Sequence, residues 1–159
     1  MPAESSAGKS AGILVFRRSN GQPEVLLGHM GGPFWARRDS AAWSIPKGMY
    51  EPDEEPLAAA RREFTEELGL PPPDGTLIDL GAARQPSGKV VTVWAVEGDL
   101  DPADVVPGTF TMEWPRGSGR IQEFPEIDRA GWFGLELARD KLVAGQRVFL
   151  DRLAERLDD

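Results

Sequence analysis

Apolar and polar positions alternate along this chain in short blocks, each of which predicts an element. Gly12-Ile13-Leu14-Val15-Phe16-Arg17 is a brief apolar run that predicts a central strand. Ser19-Asn20-Gly21 supplies hairpin turn chemistry, and Glu24-Val25-Leu26-Leu27-Gly28 predicts the returning strand. From His29 to Ala42 the pattern dissolves into a segment rich in Trp, Phe and Arg. That segment predicts an ordered surface loop, because Phe34 and Trp35 need something to pack on. Trp43-Ser44-Ile45-Pro46 predicts a short strand stopped by proline.

A helix is predicted from about Glu55 to Leu68. Pro56 suits a first helical turn, Asp53, Glu54 and Glu55 lie near the positive end of the dipole, and Gly69 suits the C′ position. At about 100° per residue, Leu57, Ala60, Phe64 and Leu68 fall within about 80° of one another, whereas Glu63, Glu66 and Glu67 span a separate arc of about 100°. Ala59 lies inside the second arc and leaves room there. One face therefore packs on a sheet while its neighbour presents carboxylates. Pro71-Pro72-Pro73-Asp74-Gly75 stops the helix. Strands are predicted over Thr76–Arg84 and Lys89–Val96, joined around Pro86-Ser87-Gly88, and again over Thr109–Trp114 and Ala130–Phe133, with Arg116–Gly119 as a loop. Gln146–Leu157 sets Val148, Phe149, Leu150, Leu153 and Leu157 at helical spacing, as a core-packing helix. Strands interspersed with two main helices predict an α/β sandwich. No internal repeat or domain boundary is visible, so residues 10–159 are expected to form one domain behind a small, polar, disordered tail at residues 1–9.

Composition narrows the chemistry. The chain has 159 residues, enough for one good core, and its formal net charge of −8 opposes general binding to long nucleic acid or to anionic membranes. With no cysteine, disulfides, thiolate zinc sites and thiol redox chemistry are excluded. His29 is the only histidine, which leaves almost no room for Ser-His or Cys-His catalysis or for a histidine-based metal site. The opening residues lack an apolar signal-peptide core and no apolar run reaches transmembrane length, so a soluble, cytoplasmic protein is expected.

Glu63, Glu66 and Glu67 stand at i, i+3 and i+4, neighbours on one helical face. Three carboxylates crowded together repel unless something positive sits between them, and a hard divalent cation such as Mg2+ is the simplest candidate. An ordinary solvated acidic helix with an Arg62–Glu66 pair would explain the charges alone, but not Gly48, Glu54 and Gly69 in register with them. From Gly48 to Leu70 the chain reads Gx5Ex7REUxEExGU, with U an apolar residue, and it fits at every fixed position. This stretch resembles the Nudix box.

The resemblance implies a Nudix-type α/β/α sandwich with a mixed sheet and a loop-helix-loop catalytic motif. It implies a pyrophosphohydrolase that uses Mg2+, with Mn2+ as a substitute, to cleave a nucleoside diphosphate linked to another group. Carried over by position, Glu63, Glu66 and Glu67 are metal ligands, joined by the backbone carbonyl of Gly48. Arg62 and Glu54 are partners that hold the glutamates, and a contact of Glu54 with a second ion stays open beside that role. Family members usually carry one more carboxylate in a downstream loop, about six residues before an aromatic. Glu126, six before Trp132, is the nominee for general base or additional ligand, and Glu123 is its rival.

Phosphates also need cations. Lys47 and Lys89 are candidates for phosphate oxygens, Arg37 with Arg38 for the far end of the substrate, and Trp35 for stacking on a base. His29 reads as a structural or rim residue. Trp43-Ser44-Ile45-Pro46-Lys47-Gly48 resembles the WxxPKG of diadenosine tetraphosphate hydrolases in the same family, as do the Lys89 strand and the run from Trp132 to Ala138. Those enzymes tend to carry an adenine-stacking tyrosine two residues before the equivalent of Trp132, where this chain has Ala130, so the clamp is absent or rebuilt from Trp35 or Phe34. The expectation is a small-nucleotide substrate, dinucleoside polyphosphates first, with nucleoside triphosphates (oxidised ones included) and nucleotide sugars as alternatives. A non-catalytic nucleotide sensor is the reading from another class, though the glutamate cluster shows no erosion. A calcium module lacks its Asp-rich loop. Many family members are dimers, and no stretch here marks a dimer surface.

Overall fold

The computed structural model describes residues 8–158. The strands are β1 (Lys9–Ser19), β2 (Gln22–Met30), β3 (Trp43–Ser44), β4 (Lys47–Met49), β5 (Ile78–Arg84), β6 (Val90–Glu97), β7 (Thr109–Glu113), β8 (Ile121–Pro125) and β9 (Ile127–Gly134). The helices are α1 (Pro56–Leu68), α2 (Leu135–Lys141) and α3 (Arg147–Leu157), with 3-10 turns at Pro102–Asp104 and Ala144–Gln146. Of the tail expected over residues 1–9, residues 1–7 lie outside the described residues. Lys9 belongs to the fold: it pairs with Val90, and its carbonyl accepts the Tyr50 N–H.

A seven-stranded mixed sheet organises the molecule, in the order β3-β2-β1-β6-β5, with β4 added to β1 and β9 to β2. β1 lies at its centre, parallel to β6 over its whole apolar run and antiparallel to β2 around the Asn20-Gly21 turn. Successive β1 side chains go to opposite faces, as strand geometry demands. Ile13 and Val15 pack with Ala59, Ala60, Phe64 and Leu68 of α1. Leu14 and Phe16 pack with Phe149, Leu150 and Leu153 of α3. Both sheet faces are thus covered by helices, the α/β/α sandwich expected.

α1 begins and ends where its residues dictate. The Glu55 side chain accepts the Leu57 and Ala58 N–H groups, Pro56 opens the helix, and Gly69 closes it at φ 71°. Ala59, angularly within the carboxylate arc, is buried in the core instead, because so small a side chain lets the helix lie close on the sheet.

Besides the three-residue β4 and the 3-10 turns, two elements escape the sequence pattern. β8 pairs with β7 in a separate two-stranded sheet, and its first three residues are exposed, so no in–out alternation marks it. α2 is seven residues long and buries only Ala138. The sheet also splits: the first part of β1 pairs with β4, the last part with β2. β4 thereby carries Lys47 and Gly48 to the flank of α1.

Candidate active site

Arg62 is the hub of the acidic face of α1. Its Nε and Nη2 donate to the two oxygens of Glu54 at 2.8 and 2.9 Å, while Nη1 reaches Glu63 at 2.8 Å and Glu66 at 3.2 Å. A planar guanidinium suits this forked pairing. The hydrogen bond from Arg62 holds the Glu54 carboxyl below its ordinary range, and the same contacts, that with Glu54 foremost, raise Arg62. Glu63 is raised above its ordinary value, chiefly by burial.

Glu67 faces a different wall. Half-buried, it accepts the Lys47 backbone N–H at 3.3 Å. Burial pushes its carboxyl up to about 8, against the lowering pull of the Lys47 charge, and the Glu126 charge adds to the rise. Glu126, between β8 and β9, is itself raised by burial and then by the charges of Glu63 and Glu66. The loop carboxylate and the helix carboxylates therefore share one field. Glu123 is bound elsewhere, accepting the Thr109 hydroxyl at 2.7 Å on the two-stranded sheet.

Gly48 fits this cluster tightly. Paired with Ala11 in the sheet, it lies against Glu63 so closely that a Cβ at this position would fall inside the Glu63 carboxylate. Among the described residues no three acidic side chains are drawn into a ready ligand set. Arg62 links Glu63 to Glu66. The donor chemistry nonetheless fits a hard divalent cation: carboxylate oxygens beside a backbone carbonyl, with Glu63, Glu67 and Glu126 raised by burial first and by neighbouring carboxylate charges second.

A cleft of about 540 Å³ opens beside Lys47 and Gly48, within the range of small-ligand sites. Lys89, Met49, Trp35 and Gln146 contribute to its walls. Two lysines and an indole thus face one space next to the carboxylates. Trp35 is half-buried, packs on the core beneath the cleft and meets Phe34 edge-on at 4.8 Å. Arg37 is not brought there: it is exposed and outside the cleft wall. Arg38 instead covers the exposed Phe34 ring at 4.2 Å. His29 is fully buried, Nδ1 2.8 Å from an Asp128 carboxylate oxygen and Nε2 2.6 Å from the Arg38 carbonyl, a structural post at the base of the loop.

Some neighbours of the site were not legible beforehand. Gln146 is buried in the cleft floor, accepting the Ile45 N–H at 2.8 Å and donating to Ser44 at 3.0 Å. Gly108 touches the backbone of both Glu66 and Glu126. Pro107-Gly108 carried only a turn signal.

Comparisons with known proteins bear on the family and the fold. The family model described as NUDIX domain matches residues 7–153. Curated relatives include proteins named RNA pyrophosphohydrolase from Halorhodospira halophila, 46% identical over 62 residues (38% of this chain and 33% of the relative), and from Hahella chejuensis, 45% identical over 49 residues (30% of each). The chain spans about a third of the length of these relatives. Among solved structures, a C. elegans Ap4A hydrolase binary complex has a TM-score of 0.64 at 24% identity, over 96% of this chain and 98% of that one. The NUDIX domain of Shewanella oneidensis NrtR, complexed with ADP ribose, also has a TM-score of 0.64, at 17% identity over 99% and 93%. At these identities the solved structures speak for the fold.

Proposed function

This chain belongs to the NUDIX domain family, and on that premise we propose that it is a pyrophosphohydrolase dependent on a divalent cation, Mg2+, with Mn2+ able to replace it. The bond cleaved is a phosphoanhydride of a small nucleoside diphosphate linked to another group, with dinucleoside polyphosphates the favoured substrates. The observation that carries this reading is the junction at Lys47–Gly48. On one side stand Glu63 and Glu67, on the other a cleft walled by Lys47, Lys89 and Trp35. A substrate with an aromatic base at one end and a polyphosphate at the other matches those two halves.

Glu63, Glu66, Glu67 and the Gly48 carbonyl are the groups that would hold the cation. When bound, the ion screens phosphate charge and lowers the pKa of coordinated water. Arg62 acts on the glutamates, holding Glu63 and Glu66 from its seat on Glu54. Lys47 and Lys89 take phosphate oxygens as point charges. Trp35 offers its ring to the base. Glu126 accepts a proton from the attacking water, a role its raised carboxyl suits, since a raised carboxyl is the stronger base.

A second reading has one observation in its favour: the curated relatives are named RNA pyrophosphohydrolase. The net charge of −8 weighs against a long RNA partner. Both readings are tested by product release with and without Mg2+ from a single panel. It contains diadenosine polyphosphates, nucleoside triphosphates (normal and oxidised), ADP-ribose, nucleotide sugars and a 5′-triphosphorylated oligoribonucleotide. Preferential, cation-dependent cleavage of a diadenosine polyphosphate supports the first reading, and preference for the oligoribonucleotide supports the second. Nucleotide-induced thermal shifts without turnover on any compound would overturn both in favour of a sensor.

A further inference from the structure

The last turn of α1 leaves carbonyls without partners inside the helix. Thr65 finds the Gly69 N–H at 2.8 Å, but Leu68 and Glu66 are served from a distant stretch of chain, by the Val106 N–H at 2.8 Å and the Gly108 N–H at 3.1 Å. Gly108 then turns its own carbonyl to the Glu126 N–H at 2.8 Å. On the far side, the Glu126 carbonyl accepts the Gly31 N–H at 3.0 Å. One residue, through its N–H and its carbonyl, therefore links the backbone of Glu66 to the backbone of Glu126, and the main chain of Glu126 is gripped from both directions. The approach is close. A Cβ on Gly108 would stand 2.6 Å from the Glu66 carbonyl oxygen, and one on Gly31 would overlap the Pro125 carbonyl. Both obstacles are backbone atoms, which cannot rotate aside as a flexible side chain would.

We propose that Gly108 is a positioning residue: its backbone N–H and carbonyl set the distance between the Glu126 carboxylate and the glutamate face of α1, and its missing side chain permits that spacing. The inference rests on the reading of Glu126 as a functional carboxylate given above. Gly31 completes the grip from the loop side. Glu123 is outside it, because its place in β8 is set by pairing with Thr111 and by the Thr109 hydroxyl.

Steady-state kinetics on whichever panel substrate is cleaved fastest tests this. Gly108→Ala is expected to lower kcat by about tenfold or more while KM stays within about twofold, because the carboxylate moves and the cleft does not. Gly31→Ala is expected to do the same. In a Glu126→Gln background, adding Gly108→Ala should cost no more than about twofold further, since its effect runs through Glu126. Gly134→Ala, where an added Cβ meets nothing within 4 Å, keeps wild-type kcat. Thermal melts establish which variants are folded, and if Gly108→Ala is not, Gly31→Ala carries the same comparison. Additive losses in the double variant, or wild-type kcat in both glycine variants, overturn the inference while leaving Glu126 in its role. Wild-type kcat in Glu126→Gln removes the premise itself, a separate and recognisable failure.

Discussion

The Glu63 carboxylate occupies the space that any side chain on Gly48 would need. That contact ties a three-residue strand to the acidic face of a helix and makes the glycine a condition of the site's shape. Gly48→Ala should displace either β4 or the Glu63 carboxylate. Since a shift of about 1 Å at a reacting centre costs on the order of a hundredfold in rate, a loss of that size is expected. Melting temperature should move little, because β4 is short and half exposed. Turnover within about twofold of wild type would mean that Glu63 and Gly48 need not meet.

Glu67 makes a pH prediction whose sign follows from burial. Its carboxyl is pushed up to about 8 in the fold from an ordinary 4.5, so the folded state binds the proton more tightly than the unfolded chain. Stability from this group is fully present below about pH 4.5 and is lost as pH rises through about 8. In EDTA, wild type should therefore lose melting temperature relative to Glu67→Gln between about pH 5 and pH 9. Glu63 and Glu126, raised in the same direction, leave a residual slope in the variant. Adding Mg2+ at about pH 8 should restore wild type more than the variant, because the cation favours the charged carboxylate. A wild-type minus variant difference that is flat with pH would refute the burial account. The variant should stay folded while losing turnover by orders of magnitude, on the order of a hundredfold or more.

How far the chain disclosed this site follows from the range of the interactions. α1 was legible almost to the residue, because its capping residues, its apolar face and its glutamates are all local. The β1–β2 hairpin was legible for the same reason, with Asn20 and Gly21 both at positive φ, 54° and 81°. What joins distant segments was not. Nothing near Gly108 in sequence announces that its N–H serves Glu66 and its carbonyl Glu126, and β8 hides because its exposed residues lack alternation. Arg37 and Trp35 share one loop, and both are substrate-contact candidates from the sequence, Arg37 for the far end of the substrate and Trp35 for a base. The fold separates them: Trp35 turns to the cleft and the core, whereas Arg37 faces away from both.

Arg62 should not tolerate lysine. Its fork engages both Glu54 oxygens while a third nitrogen reaches Glu63 and Glu66, a geometry an ammonium cannot reproduce. Residues that hold ligands rather than bind substrate typically cost about 10- to 100-fold when replaced. Arg62→Lys and Arg62→Ala are both expected in that range, with a higher Mg2+ concentration for half-maximal rate and little change in substrate KM. Activation curves for Mg2+ at saturating substrate measure this. A lysine variant with the wild-type midpoint would show that charge alone is enough.

Trp35 and Arg37 supply the contrast that locates the base. A base stacked on an aromatic contributes about 1–3 kcal/mol, so Trp35→Ala should raise KM by roughly 5- to 150-fold if the ring supports the base. Because Trp35 also packs on the core, Trp35→Leu serves as a control: it keeps much of the apolar contact but no aromatic face. A KM defect shared by both variants, with the leucine variant close to wild type in melting temperature, separates stacking from packing. Lys89→Ala should raise KM through a lost phosphate contact, by about tenfold. Arg37→Ala should leave kcat and KM within about twofold, since Arg37 lies outside the cleft wall. If instead Arg37→Ala raises KM and Trp35→Leu does not, the substrate runs over the outer face of the loop, where Arg38 covers Phe34, and the cleft beside Lys47 is not the nucleoside's seat.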